Sequence, residues 1–199
     1  SPRQIGLVNM TFRERFEIAG RVVGPDAPVL IIAEAGVAHF GDTGKASELV
    51  DLAAESGADI FKTQAFDTNE LISSRLTEWR DRLRPKEVSF EFIERMKGRC
   101  DEKGILFMCT AHDITVLDWV DRLEVPAYKI GSGERENTSF FEQIAERQKP
   151  VILSTGMYMT KHVQNALDVF SKAGCTELGL LHCVTSYPTP VGQGNLRGM

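Results

Sequence analysis

The apolar residues of this chain fall into short runs that alternate with segments of helical periodicity. The first run covers residues 29–33 and is continuously apolar, as expected for a parallel strand that is buried on both faces. Runs of the same kind follow at 60–64, 106–109, 127–130, 151–154 and 178–182. Helical spacing fills the intervals between runs, at 45–56, 89–103, 114–123, 138–147 and 160–173. This strict alternation predicts a parallel sheet covered by helices.

The number of units predicts the architecture. Six strand–helix units favour an α/β fold of the (β/α)8 TIM-barrel type, with about six of its eight units present in these 199 residues. Residues 16–23 have the pattern of a β-hairpin that turns near Ala19 and Gly20. We therefore expect an N-terminal segment with a hairpin at 1–28 and an incomplete barrel domain at 29–199, with the last strands and any C-terminal domain absent.

One connection is longer than the others. Residues 66–85 are rich in charge and exceed the usual length of a loop between a strand and a helix. A solvated surface excursion with a short helix is the favoured interpretation, and a lid over the site is the alternative.

Composition narrows the class of protein. The net charge of −5 lacks the basic excess typical of nucleic-acid binders, and no apolar run is long enough to cross a membrane. The four cysteines show no CxxC pair or zinc-site spacing, so we expect reduced thiols in a cytoplasmic protein. An anionic small substrate remains compatible with the charge, because a few lysines can make a cleft locally positive.

Polar residues follow nearly every predicted strand. The carboxyl ends of parallel strands meet at one edge of the sheet, where α/β proteins place their sites. The residues delivered to this edge are Glu34, His39, Lys62, Gln64, Thr110, His112, Lys129, Ser132, Ser154, His182, Thr185 and Tyr187. Packing alone does not explain so polar a set, so the sequence predicts a site there.

Two lysines inside apolar strands are the sharpest indication of what binds. Lys62 and Lys129 would be costly to bury without an anion or a carbonyl nearby. Either lysine alone could belong to a structural ion pair. Together with Ser132, Ser154 and the glycines of 131–134, they predict a binding site for a phosphate or a carboxylate.

The remaining polar residues leave alternatives open. Glu34 could serve as a general acid or base, or pair with Lys62. His39, His112 and His182 fall at strand ends, but no HxH or HxxxH pair supports a metal site. A hydrogen-bonding role is therefore expected for each histidine.

Five strings, in this order, resemble the sialic acid synthase family, which includes N-acetylneuraminate synthase and bacterial relatives that make legionaminic acid, pseudaminic acid and spore-coat sugars. The strings are IIAEAG at 31–36, FKTQ at 61–64, AYKIGSGE at 127–134, KPVILSTGM at 149–157, and LLHC followed by SYPTP within 180–190. The resemblance runs from about Phe16 to the end of the chain.

The resemblance implies a transferase that joins phosphoenolpyruvate to an N-acetylmannosamine-like aldose, an N-acetylhexosamine. Carbon 3 of phosphoenolpyruvate adds to the sugar aldehyde, water attacks carbon 2, and phosphate leaves by C–O cleavage. Mn2+ or Mg2+ is the implied cofactor, polarising the aldehyde as a Lewis acid. A homodimer is the implied assembly.

Matching positions carry the implied roles. We expect Glu34, Lys62 and Lys129 to be catalytic, with Glu34 handling a proton. Contacts to phosphoenolpyruvate are expected from Lys62, Thr110, Lys129, Ser132 and Ser154. Contacts to the reaction centre or the sugar are expected from Gln64, Tyr187 and Thr185.

Two departures from the family pattern change the expectations. Residues 38–41 read AHFG where relatives read NHNG or NHDG, which puts the usual amino sugar in doubt. The family's metal-binding histidines belong to the last strands, so no metal ligand is expected before Met199.

Two other functions stay open at this point. One is a non-catalytic phosphate- or sugar-binding barrel without a metal site. The other is a Schiff-base aldolase that uses Lys129 as its nucleophile.

Overall fold

The chain forms a short hairpin followed by a six-stranded parallel sheet, in a computed structural model that describes residues 12–199. The first eleven residues of the predicted N-terminal segment lie outside the described residues. The hairpin strands are β1 (Phe16–Ile18) and β2 (Arg21–Val23). The strands of the sheet are β3 (Ile32–Gly36), β4 (Ile60–Ala65), β5 (Leu106–Ala111), β6 (Tyr128–Ile130), β7 (Val151–Ser154) and β8 (Leu178–Leu181).

Helices follow the strands in the alternation that the sequence predicts. They are α1 (Thr43–Glu55), α2 (Thr68–Leu71), α3 (Thr77–Leu83), α4 (Phe90–Lys103), α5 (Ile114–Arg122), α6 (Thr138–Ala145) and α7 (Thr160–Lys172). Spatial strand order equals sequence order from β3 to β8, and every neighbouring pair is parallel. The curled sheet is thus six units of a (β/α)8-type barrel, which confirms the predicted fold class and hairpin.

The first strand is a correction to the sequence prediction. The apolar run at 29–33 predicts a strand buried on both faces, but β3 begins only at Ile32. Val29 is 83% exposed and Ile31 is 55% exposed. In the described sheet β3 has a single neighbour, β4, so the run is paired on one side only, and of its first three residues Leu30 alone packs against the inner core.

Alternate residues of each strand face two different cores. Residues such as Phe61 and Phe107 face the helices and pack into the larger core together with Ile93, Val116 and Phe141. The alternation follows from the period-two geometry of a strand.

The opposite faces of the strands line the inside of the curled sheet. There, Ile60, Met108 and Ile152 form a smaller core with Phe16 and Ile18 of the hairpin. Two residues further along the chain from Ile60 and Ala127 of this inner core, the inward-facing residues are Lys62 and Lys129. The hairpin therefore fills the amino-terminal end of the sheet with apolar side chains, and the carboxyl-terminal end is left for polar ones.

Side-chain caps fix where the helices begin, just after the strand ends. Asp42 accepts a hydrogen bond from the Lys45 backbone amide, and Asp113 accepts one from the Val116 amide. Residues 66–86 form two short helices and a 3₁₀ turn, and no residue of α3 is buried. No helix in residues 12–199 is long and apolar enough to cross a membrane.

Candidate functional site

A cleft of about 540 Å3 opens at the carboxyl ends of the six strands. The nine residues predicted to be catalytic or to contact a substrate all line it, namely Glu34, Lys62, Gln64, Thr110, Lys129, Ser132, Ser154, Thr185 and Tyr187. The remaining lining includes His112, Gly131, Gly133, Met157 and Cys183. The structure thus brings the predicted residues together, and their roles stay predictions.

The two lysines reach the cleft from strands separated by β5. Lys62 is 6% exposed, and its Nζ donates to the hydroxyl of Thr110 over 3.3 Å. Lys129 is 7% exposed, and its Nζ donates to Ser154 Oγ over 2.7 Å and to the Ile130 carbonyl over 2.8 Å. Lys62 also forms an ion pair with Glu34. Among the described residues, no carboxylate pairs with Lys129, so the cleft holds an excess positive charge.

Burial lowers the pKa of both lysines. Desolvation lowers the pKa of Lys62 to about 7, and the positive charge of Lys129 contributes to the lowering. Desolvation likewise lowers the pKa of Lys129 to about 8. A bound dianion would raise both pKa values, because an opposite charge favours the protonated amine.

A small turn after β7 lies between two side chains that line the cleft, Ser132 and Thr185. The Gly156 amide donates to Ser132 Oγ over 2.9 Å, which joins the turns after β6 and β7. A Cβ at Gly156 would stand 2.4 Å from Thr185 Oγ1 and 2.8 Å from Ser132 Oγ. Only glycine therefore lets these two hydroxyls approach from both sides.

Glu34 and Gln64 form the side of the cleft next to the lysine pair. Gln64 Nε2 donates to Glu34 Oε1 over 3.3 Å, while Glu34 Oε2 pairs with Lys62. Gly36 adopts a φ of +55°, and a Cβ there would lie 3.2 Å from Glu34 Oε1. The carboxylate is thus held at the mouth of the cleft with one oxygen toward the lysine.

Two predicted contacts lie at the rim. Tyr187 is 93% exposed, and Thr185 is also exposed. Both line the cleft from the chain that follows β8, where the described sheet is open.

The three histidines at strand ends have different surroundings. His39 is fully buried beneath the loop after β3, where Nδ1 accepts from the Gly41 amide and Nε2 contacts Thr63 Oγ1 over 3.1 Å. His182 is exposed and contacts the Gly194 carbonyl. Of the histidines within residues 12–199, only His112 lines the cleft. Its Nδ1 contacts Oε1 of Glu134, the last residue of the AYKIGSGE string, for which the sequence predicts no role.

No metal site is assembled in the part of the chain that the structure describes. Within it, no three His, Cys, Asp or Glu side chains lie close enough together to hold an ion. The four cysteines are free thiols, three of them buried, as expected. The described residues therefore do not by themselves fit the Mn2+ or Mg2+ that the resemblance implies.

Residues 38–41 stay clear of the cleft lining. Ala38 and Phe40 are both exposed, and Lys86 lies over the Phe40 ring at 5.8 Å from its centroid. The excursion at 66–86 likewise contributes no residue to the lining, which favours a surface excursion over a lid.

Comparison with known proteins gives a consistent result. A model of the NeuB family matches residues 49–199. The N,N'-diacetyllegionaminic acid synthase of Campylobacter jejuni is 34% identical, over 85% of this chain and 55% of that protein. The spore coat polysaccharide biosynthesis protein SpsE of Bacillus subtilis is 32% identical, over 91% of this chain and 51% of that protein.

A solved structure extends the likeness to three dimensions. The N-acetylneuraminic acid (sialic acid) synthetase of Leptospira borgpetersenii, crystallised with citrate, superposes with a TM-score of 0.88 at 32% identity. The match covers 92% of this chain and 64% of that one. This chain spans about half the length of the curated relatives it matches.

Proposed function

The chain belongs to the NeuB family, and from this premise we propose that it carries the phosphoenolpyruvate-binding half of a nonulosonic acid synthase. The reaction condenses phosphoenolpyruvate with an N-acetylmannosamine-like aldose and releases phosphate. The excess positive charge of the cleft carries the proposal. Lys129 is buried beside the Ser154 hydroxyl and the Ile130 carbonyl, without a carboxylate partner among the described residues, which is costly unless an anion occupies the cleft.

The chemistry follows from the positions of the groups. Lys62, Thr110, Lys129, Ser132 and Ser154 surround the phosphate and carboxylate of phosphoenolpyruvate. Charge-assisted hydrogen bonds from two ammonium groups stabilise the charge that accumulates on phosphate as the C–O bond breaks. Glu34 stands at the mouth of the cleft, where it handles a proton of the attacking water.

Tyr187 and Thr185 contact the sugar from the rim. We further propose a homodimer in the cytoplasm and an Mn2+ or Mg2+ ion that polarises the aldehyde when bound. Ligands for that ion would come from outside the described residues.

The test is an assay on the full natural chain with phosphoenolpyruvate, Mn2+ and a panel of N-acetylated hexosamines. We expect phosphate release that depends on both the sugar and the metal and is lost with EDTA. With 18O in the bridging position of phosphoenolpyruvate, the label should appear in the released phosphate, because C–O cleavage leaves the bridging oxygen on phosphorus. Absence of phosphate release with every sugar, or label retained in the keto acid, contradicts the proposal.

A Schiff-base aldolase is the second candidate, and the lowered pKa of Lys129 favours it, because a neutral amine is the nucleophile in such enzymes. Borohydride treatment with pyruvate separates the two functions. An aldolase gains the mass of a reduced pyruvate adduct on Lys129, whereas a synthase gains none.

A further inference from the structure

His112 occupies the anion-binding side of the cleft but has no role in the proposed reaction so far. It follows Thr110 by two residues, and the Thr110 hydroxyl accepts the hydrogen bond of Lys62. Gly131 directly follows the neighbouring strand β6, and a Cβ there would lie 3.3 Å from His112 Cε1. The absence of a side chain at Gly131 therefore leaves room for the imidazole ring. The imidazole is thus packed among the groups that hold the anion.

A buried carboxylate fixes the orientation of this imidazole. His112 Nδ1 lies 3.3 Å from Glu134 Oε1. Glu134 is 7% exposed, and its second oxygen accepts a hydrogen bond of 2.8 Å from Asn137 Nδ2. A carboxylate can only accept, so Nδ1 must carry the proton that joins the two side chains.

The same contact leaves the other ring nitrogen available. Nε2 has no hydrogen-bond partner among residues 12–199, and the ring lines the cleft. A carboxylate on the far side of an imidazole stabilises its protonated form and sets its tautomer, as in other carboxylate–histidine pairs. Nε2 is therefore the ring nitrogen available to a ligand that enters the cleft.

We propose that His112 is a catalytic residue that gives a proton from Nε2 to the departing phosphate, and that Glu134 is its positioning residue. This inference rests on the proposed synthase function. Once carbon 3 has joined the aldehyde and water has added at carbon 2, that carbon carries a hydroxyl and the phosphate ester. The C2–O bond to phosphate then breaks, and its electron pair stays on the oxygen, which takes the Nε2 proton. The C2 hydroxyl forms the keto group and returns its proton to the imidazole, so the protons balance.

The first experiment measures steady-state kinetics of His112→Gln and His112→Ala in the full natural chain. General acid catalysis of this kind contributes about 10²- to 10⁴-fold, so we expect kcat to fall by that factor with little change in the affinity for phosphoenolpyruvate. Added imidazole should restore part of the activity of His112→Ala, because the vacated space faces the cleft. A kcat within about threefold of the wild type overturns the proposal, and so does a fall in kcat that imidazole does not relieve.

The second experiment tests the positioning role with Glu134→Gln, which keeps the shape and removes the charge. Nitrogen-15 spectra of the histidines should show His112 losing its preference for a proton on Nδ1, and kcat should fall while KM stays nearly constant. Glu136→Gln is the matched control, because that carboxyl is 59% exposed and touches His162 rather than His112. An unchanged His112 spectrum in Glu134→Gln overturns the positioning role.

Different results would contradict the synthase function and the role of His112. If the wild-type protein releases no phosphate with any sugar, the proposed synthase function is wrong. If the wild type is active and the His112 variants match it, only the role of His112 is wrong.

Discussion

At the level of single residues, replacing Lys129 should weaken ligand binding without lowering the stability of the fold. Its charge is buried without a carboxylate partner in the described part of the chain. Lys129→Met should weaken phosphoenolpyruvate binding by about 2 to 4 kcal/mol, since a buried dianion loses a charged partner. The free energy of unfolding should be unchanged or higher, because the methionine needs no proton and no hydrogen bond.

Calorimetric titration and urea unfolding provide the two measurements for Lys129→Met. Lys161→Met is the matched control, since Lys161 is exposed on α7 and outside the cleft. Unchanged affinity in Lys129→Met would remove this lysine from the anion site. A large loss of stability would mean that the charge has a structural role instead.

Gly156 gives a second prediction at this scale. Gly156→Ala places a methyl group 2.4 Å from Thr185 Oγ1 and 2.8 Å from Ser132 Oγ, so one of the two turns must shift. We expect phosphoenolpyruvate binding to weaken at least about tenfold, a cost of about 1.4 kcal/mol. Gly133→Ala is the control for thermal stability, because a Cβ there meets no atom within 4 Å. Wild-type affinity in Gly156→Ala would show that the contact between the turns is dispensable.

The sequence predicts which residues gather at the cleft, but not how their side chains connect to one another. A lysine in an apolar strand is visible as an anomaly, so Lys62 and Lys129 could be found by burial arguments alone. Glu134 could not be found in this way, because nothing in the GSGE string indicates that its carboxylate turns inward and accepts from His112. His39 was a candidate by position, but its ring turns beneath its own loop to satisfy Gly41 and Thr63.

At the scale of elements, the lysines of β4 and β6 link binding to pH. Burial lowers the pKa of Lys62 to about 7 and that of Lys129 to about 8, so at pH 8 the empty cleft holds fewer protons than two full ammonium groups. A bound dianion favours the charged forms, and phosphoenolpyruvate binding should take up between about one and two protons at pH 8. Affinity should accordingly decrease as the pH rises through 7 and 8.

Titration calorimetry in buffers of different ionisation enthalpy measures this uptake, and Lys129→Met should reduce it. The pH dependence of folding stability runs in the opposite direction to that of binding. Because both pKa values are lowered in the folded state, the unfolded chain binds more protons above pH 7, and these two lysines cost less stability as the pH rises from about 7 toward 10.5. A binding enthalpy that does not vary with the buffer would contradict the linkage.

The hairpin provides a stability prediction at the same scale. Ile18 is fully buried against the inner core below the cleft. Ile18→Ala should destabilise the fold by about 2 to 5 kcal/mol through lost burial and the cavity left behind. Glu17→Ala, the exposed neighbour on the same strand, should change stability by less than about 0.5 kcal/mol. Equal unfolding midpoints for the two variants would show that the hairpin is not part of the core.

Hydrophobic patterning located five of the six sheet strands and failed at the first for a physical reason. An apolar run shows that residues avoid water, but not which of them has a neighbour to pair with. Strands β4 to β7 have a neighbour on each side, whereas Val29 and Ile31 precede an edge strand and stay exposed, as do Leu180 and Leu181 of the other edge strand, β8. In the hairpin, Ala19 and Gly20 both take the positive φ of a tight turn, and Gly20 is the residue that marks this turn in the sequence.

At the scale of the whole molecule, the described sheet is an arc with two free edges. β3 pairs only with β4, and β8 pairs only with β7. Apolar side chains are exposed at both ends of the arc, including Ile31, Leu180 and Leu181. The two rim residues, Thr185 and Tyr187, follow β8 at one of these edges. The edge strand β8 and the rim of the cleft are therefore adjacent in the chain.

The two open edges of the described sheet predict self-association. A protein of these 199 residues alone should self-associate as its concentration rises, because unpaired strand edges and exposed apolar side chains are a template for pairing. Light scattering coupled to size-exclusion chromatography measures the association. Ile31→Lys combined with Leu180→Lys should reduce it, since charge on an edge disfavours pairing, whereas Leu76→Lys, at an exposed position of the 66–86 excursion, should not. Equal reduction by both variants would mean that general surface hydrophobicity, and not the strand edges, drives association.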